Sequence, residues 1–292
     1  MKKIAALVLS SGGARGIAHI GVIEELERQG FEIKSIAGSS MGALVGGIYA
    51  TGRLNILKEK LLNLDRIAAL NLIDFTLSNK GIVKGNKIIK EINQIIPDVL
   101  IEELPVLYTA VASDVKNRQE IIFNKGRLYE AIRASIAIPA IFTPVRSENK
   151  ILVDGGVINP LPINRVNRMR GDILIAVNVN AANEKTSQIK TKKLNNKELT
   201  LFSLIKEKGM SFLLKTNNEQ FNFYTLLSLS ASIMIQQVSR LTIELYKPDI
   251  LIDIPMDSFG PFQFYKANEI IKAGEIATNK ALTEYQNKLY YE

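Results

Sequence analysis

Apolar residues along this chain fall into a strand rhythm and a helix rhythm that take turns. Ile4 to Leu9 is an unbroken apolar run, the pattern of a strand buried on both faces of a parallel sheet. Ile17, Ile20, Val22, Ile23 and Leu26 then mark a helical stretch. The succession repeats at once: Ile33 to Ala37, interrupted by Lys34 and Ser35, predicts a short strand, and Leu44, Val45, Ile48 and Tyr49 predict a second helix. Further strands are predicted at Pro105–Ala112, at Gln119–Phe123 as its hairpin partner, at Ile151–Val153, at Asp172–Val179 and at Ile250–Ile252. Residues 53–100 read as helical, with breaks at Asn79–Asn86 and at Pro97. Helices are also predicted through Leu128, Ile132 and Ser135, over Leu199–Leu214 and Phe221–Tyr246, and from Gln263 to Leu289. Strands alternating with helices imply an α/β fold with a mostly parallel central sheet, which the tail from Ile250 is expected to rejoin.

With 292 residues the chain can bury a substantial core, and we expect one domain over 1–292. Its interior contains one departure from the pattern. Lys185, Lys190, Lys192, Lys193 and Lys197 stand against Glu184 in a stretch poor in apolar residues, which predicts a mobile surface segment. The helix predicted after it carries Leu226, Leu229, Ile233, Ile235, Val238 and Leu241 with little charge. Core packing accounts for most of these side chains. The competing reading makes 183–246, a basic loop plus an apolar helical segment, a lid or membrane-facing region.

The sequence has no cysteine, which excludes disulfides and thiolate chemistry, and one histidine, which argues against a His/Cys zinc site. A net charge of +8 suits an anionic partner, either a membrane surface or a nucleic acid. Met1-Lys2-Lys3 before the first apolar run imitates a signal peptide. That run is short for one, and cleavage after it would damage the loop that follows, so the expectation is a cytoplasmic protein. No apolar run is long enough to span a bilayer.

Two loops carry candidate chemistry. Gly38-Ser39-Ser40-Met41-Gly42 fits G-x-S-x-G between a predicted strand and a predicted helix. In that setting the central serine is held on a sharp turn with its hydroxyl presented, so Ser40 is the candidate nucleophile. Ser10-Ser11-Gly12-Gly13-Ala14-Arg15-Gly16 also joins a strand to a helix. Its amides and the positive end of the helix dipole suit an anionic oxygen, either a phosphate or the oxyanion of an ester under attack. A nucleotide- or phosphate-binding protein is therefore a competing reading. The loop is neither a Walker loop nor a clean G-x-G-x-x-G, and no tyrosine is followed four residues later by the lysine that a short-chain dehydrogenase needs.

Ser40 requires a base. The single histidine, His19, precedes it and lies in an apolar helical run, a setting for a structural histidine. Asp154-Gly155-Gly156 follows a predicted strand, and in a doubly wound sheet the working residues gather beyond strand ends. We therefore expect Asp154 to accept the serine proton directly, which requires its pKa to be raised by desolvation. Ser135 is expected to be a small packed residue at a helix end.

Gly12-Gly13-Ala14-Arg15-Gly16, Gly38-Ser39-Ser40-Met41-Gly42, Ala134-Ser135 with Pro139, and Asp154-Gly155-Gly156 occur in this order. In order and spacing the chain resembles the patatin-like phospholipases, and most of all their compact bacterial members. The resemblance runs from Leu7 to about Val179 and resumes weakly from Pro248. It implies a three-layer α/β/α core, Ser40 as nucleophile and Asp154 as its dyad partner. It also implies an oxyanion hole from the backbone of Gly12, Gly13, Ala14 and Arg15, with Arg15 acting through backbone, charge or both. The implied activity is lipid acyl hydrolysis through an acyl-enzyme, with no cofactor and no catalytic metal. Implied partners are a lipid or other acyl ester and, peripherally, an anionic membrane, but not nucleic acid. A catalytically silent lipid-binding protein of the same fold is the remaining alternative. The membrane-facing reading of 183–246 predicts that anionic vesicles protect the bond after Lys192 from trypsin; cleavage at an unchanged rate rules that reading out.

Overall fold

In the computed structural model, which describes residues 3–67, 75–78, 81–83, 86–139, 141–183 and 223–291, the first apolar run forms β1 (Lys3–Leu9). Its alternate residues serve different cores: Ala5, Leu7 and Leu9 join one cluster, Ala6 and Val8 another. Burial on both faces is why no polar residue interrupts Ala5–Leu9. A 3-10 turn (Gly13–Ile17) leads into α1 (Ala18–Arg28), followed by β2 (Phe31–Ser39), α2 (Met41–Ala50) and α3 (Leu54–Leu62). Next come the hairpin β3 (Phe75–Ser78) and β4 (Gly81–Val83), α4 (Asn86–Ile95), β5 (Leu107–Asp114), β6 (Gln119–Phe123) and α5 (Leu128–Ser135). β7 (Val145–Arg146), β8 (Ile151–Asp154), β9 (Ile173–Ala181), α6 (Phe223–Tyr246), β10 (Ile250–Pro255) and α7 (Ala267–Tyr291) complete the described chain.

The main sheet has the order β10-β9-β1-β2-β5-β8-β7, with β6 also pairing β5. β10, β9, β1, β2 and β5 are parallel to their neighbours, whereas β6 and β8 both run antiparallel to β5. The sheet is thus mixed but mostly parallel, as the alternation of strand and helix predicts. One face is covered by α1, α2, α5 and α7 through the larger core, and the other by Leu161, Ile163 and Val166 with Ile243 of α6. The hairpin β3–β4 replaces part of the helical stretch expected over 53–100. Thr76, Ile82 and Val83 are β-branched and favour extended backbone.

The chain divides into two compact units, Met1–Ala181 with Ile235–Glu292, and Ala182–Met234. The first contains the whole sheet. In the second, the described residues are Ala182, Asn183 and the first half of α6. Nearly all of the basic segment 183–197, and the helix expected over Leu199–Leu214, lie outside the described residues. No helix among the described residues is long and apolar enough to cross a membrane.

The register makes the strands that carry the loops end together. Leu9 at the end of β1 pairs with Gly38 on one side and Val177 on the other. β1 is therefore the point where the chain winds off in both directions, and the crevice beyond its carboxyl end is where such folds hold ligands. The tail is tied in by close helix packing. A Cβ on Gly21 of α1 would overlap the Ile271 carbonyl, and one on Gly274 of α7 would overlap the Ala18 carbonyl. Both obstacles are backbone, so neither can rotate away. Gly274→Ala is expected to cost roughly 2–3 kcal/mol and to lower Tm by about 4–10 °C in a thermal melt. Gly52→Ala, whose Cβ would meet open space, should cost only the about 1–2 kcal/mol of its left-handed backbone.

Candidate active site

Ser40 stands between the last residue of β2 and the first of α2 with φ 54 and ψ −121. A non-glycine residue seldom adopts that conformation, which costs on the order of 1–3 kcal/mol that the surrounding contacts must offset. The elbow is pressed so close to β1 that a Cβ on Gly42 would overlap the Leu9 carbonyl, and one on Gly38 would strike the backbone of Gly42 and Ala43. The Ser40 N–H donates to the Ser135 hydroxyl at 2.9 Å, which ties the elbow to the end of α5. Ser135 is the small buried residue expected at that helix end, and the structure gives it this bond as well. The neighbouring Ser39 hydroxyl is buried and has no partner among the described residues.

The register across β5 brings Asp154 to this elbow. Ser39 pairs with Val111, and the next residue on β5, Ala112, pairs with Asp154 at the end of β8. Because β8 is antiparallel to β5, Asp154 arrives by antiparallel register and not by the parallel crossover that a doubly wound sheet would use. The result is a hydrogen bond of 2.5 Å from the Ser40 hydroxyl to Oδ2 of Asp154. The other carboxylate oxygen accepts from the Gly156 N–H at 2.7 Å. Main-chain bonds fix the residue itself: its N–H donates to the Ala137 carbonyl at 2.9 Å, and its carbonyl accepts from the Ser113 hydroxyl at 2.9 Å.

Asp154 is 5% exposed, and no cation pairs with it among the described residues. Burial pushes its carboxyl pKa up from 3.8 to about 7, against the opposing pull of the Ser40 hydroxyl and the Gly156 N–H. His19 is fully buried on α1, its Nε2 2.9 Å from the Ser10 carbonyl oxygen. Burial pushes its pKa down to about 4, partly offset by that carbonyl. It touches neither Ser40 nor Asp154 by hydrogen bond.

The Gly-rich loop meets both groups. Gly16 packs on the Met41 side chain beside Ser40, and Gly156 lies against the Ser11 side chain. Of the four loop residues singled out in sequence, Gly12 carries an amide with no partner among the described residues. Gly13 turns the chain with φ 57. The Ala14 N–H is already used, donating to the Pro261 carbonyl at 2.9 Å. The Arg15 guanidinium is 7% exposed and donates to the Phe259 carbonyl and to Oδ1 of Asn180, both at 3.3 Å. Burial pushes its pKa down to about 10. Phe259, Pro261 and Asn180 were not predicted to belong here; their contacts span 244 and 165 residues for the two Arg15 bonds, beyond any local pattern. Among the described residues, no group of three or more Asp, Glu or His side chains could hold a metal ion.

Exposed apolar side chains follow directly on these turns. Val157 and Ile158 continue from Asp154-Gly155-Gly156, and Phe262 follows Pro261. A cleft of about 300 Å³ lies beside the Asp154 turn, lined by Ile158, Asn159 and Glu120 with Val238, Leu245 and Tyr246 of α6.

Comparison with known proteins places this arrangement. An NTE family protein of Mycobacterium tuberculosis, named as uncharacterized, is 45% identical over 177 residues, which is 61% of this chain and 49% of that protein. The lysophospholipase NTE1 of Lodderomyces elongisporus is 26% identical over 291 residues, 97% of this chain but 19% of that one. The chain thus spans about half the length, or less, of the curated relatives it matches. The crystal structure of VipD from Legionella pneumophila aligns over 97% of this chain and 67% of its own, with a TM-score of 0.48 and 16% identity. A family model described as patatin-like phospholipase matches residues 7–166. That match takes in more than half of the sequence and all three turns described above, and the chain belongs to the patatin-like phospholipase family.

Proposed function

We propose that this chain is a serine lipid acyl hydrolase that cleaves fatty-acyl esters through Ser40 and Asp154. The observation that carries the reading is the 2.5 Å hydrogen bond between a serine hydroxyl on a positive-φ elbow and a buried carboxylate. As substrate binds, the Ser40 oxygen attacks the ester carbonyl and its proton passes to Asp154. The negative charge that develops on the carbonyl oxygen is met by the Gly-rich loop through the Gly12 amide, which has no partner among the described residues. The tetrahedral species collapses, and Asp154 returns its proton to the departing alcohol. Water then donates a proton to Asp154 and attacks the acyl-Ser40 ester, the Ser40 oxygen leaves with that proton, and the fatty acid is released.

Burial of Asp154 suits the role. A carboxylate with an ordinary pKa is too weak a base for a serine; one held near 7 is matched to neutral pH. The exposed Val157, Ile158 and Phe262 offer apolar surface to an acyl chain. The fungal relative is named a lysophospholipase, which supports a glycerophospholipid or lysophospholipid as the ester. A net charge of +8, with exposed Leu241 and Leu245 on α6, supports peripheral contact with anionic lipid. The competing phosphate-binding reading fares worse, since it leaves the hydrogen bond between Ser40 and the buried Asp154 without a role.

A fluorophosphonate probe is expected to label the protein, and Ser40→Ala to abolish labelling and fatty-acid release together; an unlabelled wild type overturns the reading. Asp154→Asn should be inactive while His19→Asn keeps most activity, and the reverse order would restore a histidine base. Because only ionised Asp154 accepts the proton, the acylation rate should rise about tenfold per pH unit below about pH 7 and level off above it.

The same group links stability to pH. The folded carboxyl keeps its proton up to about pH 7, whereas the unfolded chain releases it near 3.8. Its favourable contribution is therefore complete below about pH 4 and lost as pH rises through about 7, a swing on the order of 4 kcal/mol. Asp154→Asn, which does not titrate, should melt at a higher temperature than wild type at alkaline pH, with a difference that shrinks on acidification.

A further inference from the structure

The Gly12 amide owes its direction to a peptide plane that is gripped from behind. A trans peptide unit is rigid, so the Ser11 carbonyl and the Gly12 N–H point in opposite directions. Whatever holds that carbonyl also aims that N–H. The Ser11 carbonyl accepts a 2.6 Å hydrogen bond from Nδ2 of Asn180. The other end of the same side-chain amide, Oδ1, accepts from the Arg15 guanidinium at 3.3 Å. Asn180 thus clasps the loop at both ends, between the residue before the glycines and the residue after Ala14. It is 2% exposed, and Asn178 beneath it is 5% exposed.

The orientation of this amide is determined by its partners. A carbonyl only accepts and a guanidinium only donates, so a flipped Asn180 would face like against like at both contacts. The support continues away from the loop: the Asn180 N–H donates to Oδ1 of Asn178 at 3.1 Å, and Nδ2 of Asn178 donates to Asp253 at 2.9 Å. Two adjacent parallel strands, β9 and β10, therefore stand behind one amide direction. Two other amides of the loop are taken by backbone carbonyls. Ser11 N–H donates to the Pro160 carbonyl at 2.8 Å and Ala14 N–H to the Pro261 carbonyl at 2.9 Å.

We infer that Asn180 is a positioning residue for ester hydrolysis, which holds the Ser11–Gly12 peptide so that the Gly12 N–H meets the developing oxyanion. The inference rests on the hydrolase reading above. Asn180 touches no reacting atom; it acts through Gly12. Its effect belongs to the transition state, where charge builds on the carbonyl oxygen, and not to the binding of ground-state substrate.

Two substitutions separate its two bonds. Asn180→Ala removes both. Asn180→Asp keeps the shape and an acceptor for Arg15, but sets carboxylate lone pairs against the Ser11 carbonyl. The measurements are kcat and KM on a soluble p-nitrophenyl ester, the rate of fluorophosphonate labelling of Ser40, and Tm. Both variants are expected to lose about 10- to 100-fold in kcat and in labelling rate, with KM within about twofold of wild type.

Retention of kcat by either folded variant overturns the inference. So does a loss in Asn180→Ala that Asn180→Asp does not share, since the Arg15 contact would then be the one that matters. So does a loss that merely tracks the unfolded fraction at the assay temperature, or unfolding of both variants, either of which would make Asn180 structural. A wild type that neither labels nor turns over defeats the hydrolase reading itself. A wild type that does both, beside variants that lose nothing, defeats only the role of Asn180.

Discussion

A carboxylate held out of water against a serine hydroxyl is the constraint on which the rest of this structure depends. Nothing in the sequence near Ser40 supplies the acid; it arrives from 114 residues away. The sheet provides the meeting point. β2 delivers the serine, β5 sets the spacing, and the antiparallel β8 brings Asp154 back to one position beyond Ser39. A one-residue slip in either pairing would turn the carboxylate to the opposite face of the sheet. The burial of Val111, Ala112 and Val153 is therefore part of the site's geometry as well as of the core.

What was legible in the sequence was local. The unbroken run at Ala5–Leu9, the strand–turn–helix around Ser40 and the turn at Asp154 each announce themselves within ten residues, because strand and helix periods and glycine turns are short-range patterns. The antiparallel β6 was legible as a hairpin partner, but the direction of β8 was not, since a strand of four residues carries no mark of its direction. The hairpin β3–β4 was overlooked for a similar reason: three or four residues are too few to establish a period of two against a period of 3.6. The partners of the Gly-rich loop were the least visible. Asn180 reads in sequence as a polar residue at the end of an apolar strand, and only the fold shows that it is buried and what its amide grips.

The latter part of the chain is correspondingly more than packing. The family match ends at residue 166, yet the loop at Gly12 is held by Asn180, Phe259 and Pro261. Those residues are themselves placed by β9, by β10 and by the turn before α7. The glycine contacts between α1 and α7 let the two helix backbones approach directly. The helix that follows the Gly-rich loop is thus clamped to the helix that follows Pro261, and the loop and its carbonyl partner are fixed from both sides.

The placement of Arg15 shows why that framework matters for the chemistry. An ion pair with a guanidinium would hold Asp154 below the usual carboxylate range. The acid would then be too weak a base to take a serine proton at neutral pH. Here the guanidinium is turned to the Phe259 carbonyl and the Asn180 amide, neither of which carries charge. Burial lowers its pKa to about 10, so it is still protonated at neutral pH. The fold therefore keeps a cation in the Gly-rich loop that is not paired with Asp154. Each group is met by uncharged partners: Arg15 donates to a backbone carbonyl and a side-chain amide while its Nε has no partner among the described residues, and Asp154 accepts from a serine hydroxyl and a backbone N–H.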